Sequence, residues 1–267
     1  MLPNLIIIGA MKCGTTSLHN YLNLHPQICM SRGKEPEFFI EEKTWHRGAT
    51  WYQSLFTRSA QILGESSTSY TKYPTFKGVP KRMYSVIPGA RLIYIVRNPV
   101  QRIVSHYIER YSRRWESRSL EDALADPDDN FYVNCSKYYM QIEQYLDYYP
   151  RERIMIIDFD DFRSNKKKVL SDVFAYLEVD SSFDHRELAF LHNPSSGKRR
   201  INLLYKLVEP IPVLSRLLNT TSGLFSSPIQ KPVLKDSLRK ALVDVLHDDI
   251  SKFRVFTGRD FAGWNFW

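Results

Sequence analysis

Cysteine is scarce in this 267-residue chain, and the three present, Cys13, Cys29 and Cys135, are too scattered for a disulfide framework or a closed zinc site. That scarcity fits a reducing compartment, and the cytoplasm is the expected location. No run approaches the roughly 20 consecutive apolar residues of a membrane-spanning helix, so no transmembrane segment is expected. The opening Met1-Leu-Pro-Asn-Leu-Ile-Ile-Ile-Gly9 lacks a basic n-region and a small-residue cleavage site, and reads as a first strand rather than a secretory signal. Internal repeats and low-complexity tracts are missing too. With 43% hydrophobic and 25% charged residues, disorder as the main state, a collagen-like repeat and a coiled coil are excluded. Acidic residues are in deficit: 29 Asp and Glu face 37 Lys and Arg, a net charge of +8. Such an excess favours anionic partners or reflects a solvated basic surface. Without zinc-finger spacing or an RNP-type signature, nucleic acid is not the expected partner.

What is there is an alternation of short apolar runs and amphipathic stretches. Leu5-Ile-Ile-Ile8, Gln27-Ile-Cys-Met30, Ile62-Leu-Gly-Glu65, Leu92-Ile-Tyr-Ile-Val96 and Ile154-Met-Ile-Ile157 read as strands, the continuous apolar runs among them buried on both faces. Between them, helices are expected over Thr15–Leu24, from Pro99 to about Trp115, and over Ser136–Tyr148, with Tyr139, Ile142, Tyr145 and Leu146 on one face. Ser119, followed by Glu121 and Asp122, looks like an N-cap. Helices are also expected over Asn165–Leu177 and 233–254. The pattern predicts an α/β fold: three layers, with a central parallel sheet flanked by helices. One domain over 1–267 is expected, with 201–232 an irregular or flexible insertion.

The most informative segment is Ile8-Gly9-Ala-Met-Lys12-Cys13-Gly14-Thr15-Thr16-Ser17. A buried strand, a Gly-bounded loop and a helix in that order aim several backbone N–H groups and a positive helix end at one point, which suits phosphate. Lys12 adds a full charge, and Thr15, Thr16 and Ser17 add hydroxyls. A standard Walker A loop has Lys directly after its second Gly, whereas Lys12 precedes Gly14 by two residues. The strand ending at Val96 supplies Arg97 where a triphosphate enzyme wants a magnesium carboxylate. Asp158, after Ile154–Ile157, is the rival candidate for that carboxylate.

Gly9-Ala-Met-Lys-Cys-Gly-Thr-Thr-Ser-Leu with Leu24-His-Pro26 resembles the 5′-phosphosulfate loop of sulfotransferases that use 3′-phosphoadenosine 5′-phosphosulfate (PAPS), in the branch of the heparan sulfate sulfotransferases and their bacterial relatives. Ile95-Val-Arg-Asn-Pro-Val-Gln-Arg-Ile-Val-Ser-His-Tyr107 resembles that family's 3′-phosphate segment, and Gly263-Trp264 its C-terminal Gly-Trp. The resemblance implies the P-loop-containing version of the predicted fold. It implies that Lys12, Cys13, Gly14, Thr15, Thr16 and Ser17 hold the 5′ end of the donor, and Arg97 and Ser105 its 3′ phosphate. Ser196-Gly197-Lys198-Arg199-Arg200 resembles the late basic loop that closes over the donor, with Ser196 where the family often has Lys.

In the family a Glu two residues before an x-Phe-Phe element serves as catalytic base. Glu35, in Gly33-Lys-Glu-Pro-Glu-Phe-Phe39, occupies that place, with Glu37 as runner-up. Lys12 is the stabiliser of the leaving oxygen. Glu37, His46, Ser66 and Tyr70 are the candidates to meet the acceptor, although heparan-type members carry Lys where this chain has Ser66. The eukaryotic Golgi relatives have a membrane anchor and a late disulfide, and this sequence shows neither. The expectation is thus a metal-free sulfuryl transfer from PAPS, releasing PAP, to a hydroxyl or amine of a glycan, glycolipid or small molecule. Two other readings stand beside it: a P-loop kinase or nucleotidase using magnesium and Asp158, and a non-catalytic binder of nucleic acid or acidic glycan.

Overall fold

A computed structural model describes residues 1–189, 199–201, 226–229 and 232–264. Five strands form the central sheet: β1 (Leu5–Gly9), β2 (Ile28–Met30), β3 (Ile62–Ser66), β4 (Arg91–Val96) and β5 (Ile154–Asp158). Their order is β2-β3-β1-β4-β5, and every neighbouring pair is parallel. All five residues of β1 are buried, as a strand covered on both faces requires. Parallel pairing forces a crossover after each strand, so the loops that follow β1, β3 and β4 emerge along one edge of the sheet.

Around the sheet lie α1 (Thr15–Leu24), α2 (Gly48–Gln53), α3 (Val79–Val86), α4 (Pro99–Ser112), α5 (Leu120–Ala123), α6 (Phe131–Asn134), α7 (Tyr138–Leu146), α8 (Phe159–Ser164), α9 (Lys166–Tyr176) and α10 (Asp236–Thr257). The Ser119 hydroxyl caps α5, accepting from the amide of Asp122 at 3.1 Å. Leu242, Leu246, Ile250 and Phe253 form the buried stripe of α10, at the spacing of one helix face. From the same helix Asp249 reaches α7, where its carboxylate accepts from the amides of Tyr139 and Met140 at 3.0 and 2.8 Å. Those are first-turn amides that lack an acceptor within their own helix.

Several elements differ from the sequence expectation. α4 ends at Ser112 rather than near Trp115, since Arg114 turns into the left-handed region at φ 57°. α3 and α8 were not foreseen; the first enters through a left-handed Gly78 with Pro80 in its first turn, and the second is capped by Asp158. α7 presents Tyr138, Gln141, Ile142 and Tyr145 to the core, leaving Tyr139 and Leu146 only partly covered. The rotation follows polar pairing. Gln141 exchanges hydrogen bonds with the backbone of Tyr73, and the Tyr138 hydroxyl donates to the Arg97 carbonyl at 2.8 Å. Of the expected insertion 201–232, Ile201 and Ser226–Pro228 are paired: β6 (Arg199–Ile201) runs antiparallel to β7 (Ser226–Pro228).

Candidate active site

At the end of β1 the chain has almost no room for side chains. A Cβ on Gly9 would lie 2.1 Å from the Thr71 hydroxyl, which itself donates to the Ile8 carbonyl at 3.0 Å. Lys12 and Gly14 both take left-handed backbone, at φ 72° and 88°, and a Cβ on Gly14 would meet the Phe159 ring at 2.7 Å. The turn throws Lys12 outward and folds Cys13 inward. Burial pushes the Cys13 thiol up to about 11, partly offset by the Arg102 and Arg97 charges, and its amide donates to the Ala10 carbonyl at 3.2 Å. Gly14 is the N-cap of α1 and offers no side chain to its amides. The amides of Thr15 and Thr16 have no acceptor within the helix, and the positive end of the helix dipole coincides with the Lys12 loop. Thr15 and Ser17 are buried and Thr16 is half-buried.

Arg97 leaves the end of β4, the strand beside β1. One guanidinium nitrogen donates to the Lys12 carbonyl at 3.4 Å and another to the Gln101 amide oxygen at 2.8 Å. Its face lies over the Phe159 ring, 5.1 Å from the centroid, and its Nε is buried without a hydrogen-bond partner. Phe159 thus stands between the two cationic elements, touching the Gly14 turn on one side and Arg97 on the other. The half-buried Ser105 sits four residues after Gln101 and four before Glu109, so the three share one face of α4. Gln101 meets Arg97, and Glu109 accepts from Lys12 Nζ at 2.9 Å and from Arg113 at 2.7 Å. Ser105 therefore lies on α4 between the residue that meets Arg97 and the residue that meets Lys12.

The Glu35 segment is held from the next strand over. Glu35 and Glu37 both have left-handed backbone, at φ 60° and 54°. The Glu35 amide donates to the Ser66 carbonyl at 2.8 Å, and its carboxylate accepts from the Thr68 amide at 2.8 Å and pairs with Lys34. The Glu37 amide donates to the Ser67 hydroxyl at 2.9 Å, and its carboxylate pairs with Lys43. Lys72, donating to the Ser69 hydroxyl at 2.9 Å, lies within the influence of both acids. Burial lowers its pKa, and Glu35 and Glu37 act in the opposite direction.

The structure gathers Lys12, Gly14, Thr15, Thr16, Arg97, Ser105 and Glu35 along one edge of four adjacent strands. It turns Ser66 and Tyr70 inward. Ser66 is buried with its hydroxyl 2.9 Å from His19 Nδ1, and Tyr70 donates to Glu65 inside the core. His46 is exposed in the short turn Trp45–Arg47. Asp158 caps α8, accepting from the Asp160 amide at 2.9 Å, and burial raises its pKa. His106 is buried against Arg102, whose guanidinium is 3.3 Å from His106 Nδ1. Burial, and then the Arg102 charge, hold its pKa well below the usual range. Gly197 and Lys198 lie outside the described residues, and Arg199 begins β6.

The sulfotransferase domain profile matches residues 2–198. The chain belongs to the sulfotransferase family. It is 28% identical over 273 aligned residues to the mouse heparan sulfate glucosamine 3-O-sulfotransferase 3B1, covering 99% of this chain and 65% of that one. It is 27% identical over 213 residues to a Drosophila melanogaster bifunctional heparan sulfate N-deacetylase/N-sulfotransferase, covering 69% of this chain and 20% of the relative. The chain thus spans less than two thirds of the length of these relatives. Among solved structures, a sulfotransferase from Alicyclobacillus acidocaldarius matches with a TM-score of 0.73 and 26% identity, covering 99% of both chains. The sulfotransferase fold accounts for the parallel sheet with its glycine-bounded loop at the end of β1.

Sequence reasoning missed Glu109, Gln101, Thr68, Lys72 and Glu65. Glu109 had a signal, its place one helical step of four after Ser105. Glu65 had none, since a Glu ending an apolar strand reads as an exposed strand end.

Proposed function

We propose that the chain moves a sulfuryl group from PAPS to a hydroxyl or amine of an acceptor, a carbohydrate or glycolipid. The observation that carries this reading is the joining of two cationic elements at one edge of the sheet. Lys12 in the Gly14 loop and Arg97 at the next strand end are linked through the Lys12 carbonyl at 3.4 Å. A donor with a 5′ phosphosulfate and a separate 3′ phosphate needs two anion sites, and a guanidinium fork engages phosphate through paired hydrogen bonds. Ser105, between the two, adds a hydroxyl.

The acceptor oxygen or nitrogen attacks sulfur, and the bond from sulfur to the bridging 5′-phosphate oxygen breaks in line with the new one. Charge builds on that leaving oxygen, and Lys12 with the opening amides of α1 opposes it. The acceptor proton passes to Glu35, whose carboxylate is oriented by the Thr68 amide. The heparan sulfate enzymes among the relatives support a carbohydrate acceptor. The three cysteines are buried and free, which suits a reducing cytoplasm. Among the described residues no helix is long and apolar enough to cross a membrane.

Calorimetry with PAP against adenosine 5′-monophosphate tests the donor assignment, and radiolabelled PAPS with N-deacetylated heparosan oligosaccharides tests transfer. PAP should bind at least ~10-fold tighter, since a lost charge-assisted phosphate contact costs roughly 1.5–3 kcal/mol. Equal affinity for the two nucleotides defeats the assignment.

A further inference from the structure

Behind the Glu35 segment lies a carboxylate that this chemistry does not touch. Glu65 sits on β3 opposite Ile6 of the central strand and is 0% exposed. Three hydroxyls donate to it: Tyr70 at 2.7 Å and Tyr52 at 3.1 Å to Oε1, and Ser67 at 2.8 Å to Oε2. Two of these hydroxyls have a second task. Ser67 Oγ accepts the Glu37 amide at 2.9 Å, and the Tyr70 hydroxyl accepts the Phe39 amide at 3.3 Å. A hydroxyl has one hydrogen to give. Once it is committed to Glu65, only lone pairs remain for the backbone. Glu65 therefore decides which way both hydroxyls point, and so whether the Glu37 and Phe39 amides have acceptors.

Those amides belong to the stretch that carries the base. Glu35 and Glu37 hold left-handed backbone that non-glycine residues disfavour, so contacts from outside the segment must keep them there. The Thr68 amide that orients the Glu35 carboxylate comes from the turn that also contains Ser67 and Tyr70. We propose that Glu65 is a positioning residue that, through Ser67 and Tyr70, locks the backbone at Glu37 and Phe39 and so holds Glu35 toward the acceptor. The proposal rests on Glu35 as the base, the reading of the previous subsection.

The arrangement also makes the lock sensitive to pH. Burial pushes Glu65 up to about 7, the three hydroxyls pull it down, and the Glu35 charge raises it. The other titratable groups facing it are tyrosines: Tyr52 from α2, Tyr70 from the turn after β3 and Tyr145 from α7. Burial holds all three protonated near neutrality. On β1 the residue opposite is Ile6. When Glu65 takes up a proton it must donate to a neighbour. The hydroxyl that accepts loses Glu65 as the acceptor of its own hydrogen, so the orientation that aimed a lone pair at the backbone N–H is no longer fixed. The lock is therefore closed above pH ~7 and loosens below it.

Amide NMR and hydrogen exchange on the labelled full chain read the lock without any acceptor. In the wild type, the Glu37 and Phe39 amide shifts should titrate together with a midpoint near 7. Glu65→Gln should abolish that titration and speed exchange at both amides at least ~10-fold, leaving the Ile6 and Ile7 amides of β1 unchanged. Ser67→Ala should act on Glu37 and Tyr70→Phe on Phe39, so the proposal stays testable should Glu65→Gln fold poorly. With N-deacetylated heparosan and PAPS, each variant should lose at least ~10-fold in kcat while PAP affinity by calorimetry is kept. Unchanged exchange at Glu37 and Phe39, or equal acceleration on β1, overturns the proposal. A wild-type chain that binds no PAP overturns the functional reading instead, and the two failures are read by different measurements.

Discussion

Lys12 and Arg97 show how a single residue acquires a role from its backbone setting. Lys12 is placed by a left-handed turn between two glycines and pairs with Glu109 at 2.9 Å. Replacing it with Ala should weaken PAP binding and slow transfer together, because the proposed function gives the same ammonium both the 5′ end and the leaving oxygen to stabilise. Calorimetry and single-turnover rates with labelled PAPS measure both, and an unchanged rate removes its leaving-group role. Glu35→Gln should separate the two quantities. The amide keeps the Thr68 contact but cannot take a proton, so PAP affinity stays while turnover falls by ~10²-fold or more. Normal turnover in that variant takes Glu35 out of the mechanism. Arg97→Ala should erase the preference for PAP over adenosine 5′-monophosphate, since the guanidinium fork is the group assigned to the 3′ phosphate.

At the scale of elements, the site depends on how tightly the strand ends are packed. Gly9→Ala would drive a Cβ to within 2.1 Å of the Thr71 hydroxyl and disturb its bond to the Ile8 carbonyl. A loss of about 1–3 kcal/mol in urea unfolding is expected, the usual cost of overpacking. PAP binding should weaken too, since the loop begins one residue later. The cap of α5 offers a contrast away from the site. Ser119→Ala removes the acceptor for the Asp122 amide and should cost about 1 kcal/mol by the same assay, with no change in PAP affinity. That cap was readable from Ser119-Leu-Glu-Asp alone because its partners are three residues apart. The cap of α7 was not readable, because its carboxylate, Asp249, arrives from α10, more than a hundred residues along the chain.

For the whole molecule, buried titratable groups set how stability follows pH. His19 on α1 faces β3, with Nδ1 2.9 Å from the Ser66 hydroxyl. Burial, and then the Lys34 charge, lower its pKa to about 4. The unfolded chain binds that proton more tightly than the folded one. His19 therefore subtracts stability as pH falls from about 6.5 toward 4, by about 3 kcal/mol in all. Glu65, raised to about 7 and Asp249, raised to about 6, act in the opposite sense: both take up protons in the folded state first, so acid favours folding through them. The contribution of His19 is thus best read as a difference. Between pH 7.5 and 4.5, on the order of the extremes of that titration, His19→Gln should lose less stability in urea unfolding than the wild type. An identical loss in the two proteins shows that His19 is not the group responsible.

What could be read from the chain itself is whatever physical chemistry confines to neighbours. Leu5–Ile8, Leu92–Val96 and Ile154–Ile157 announce buried strands because a parallel strand covered on both faces must be apolar throughout. Gly9, Lys12, Gly14 and Thr15 announce a tight strand-to-helix turn carrying a lysine because the turn, the charge and the helix start are consecutive. The Arg97-Asn-Pro segment announces the second cationic element for the same reason. The tertiary structure alone decided that Ser66 and Tyr70 face the core, that Asp158 caps a helix, that Glu109 meets Lys12 and that Glu65 gathers three hydroxyls. Each of these depends on which polar groups are buried together after strands distant in sequence have paired. A buried carboxylate is tolerated only where such partners converge, and that convergence belongs to the packed molecule.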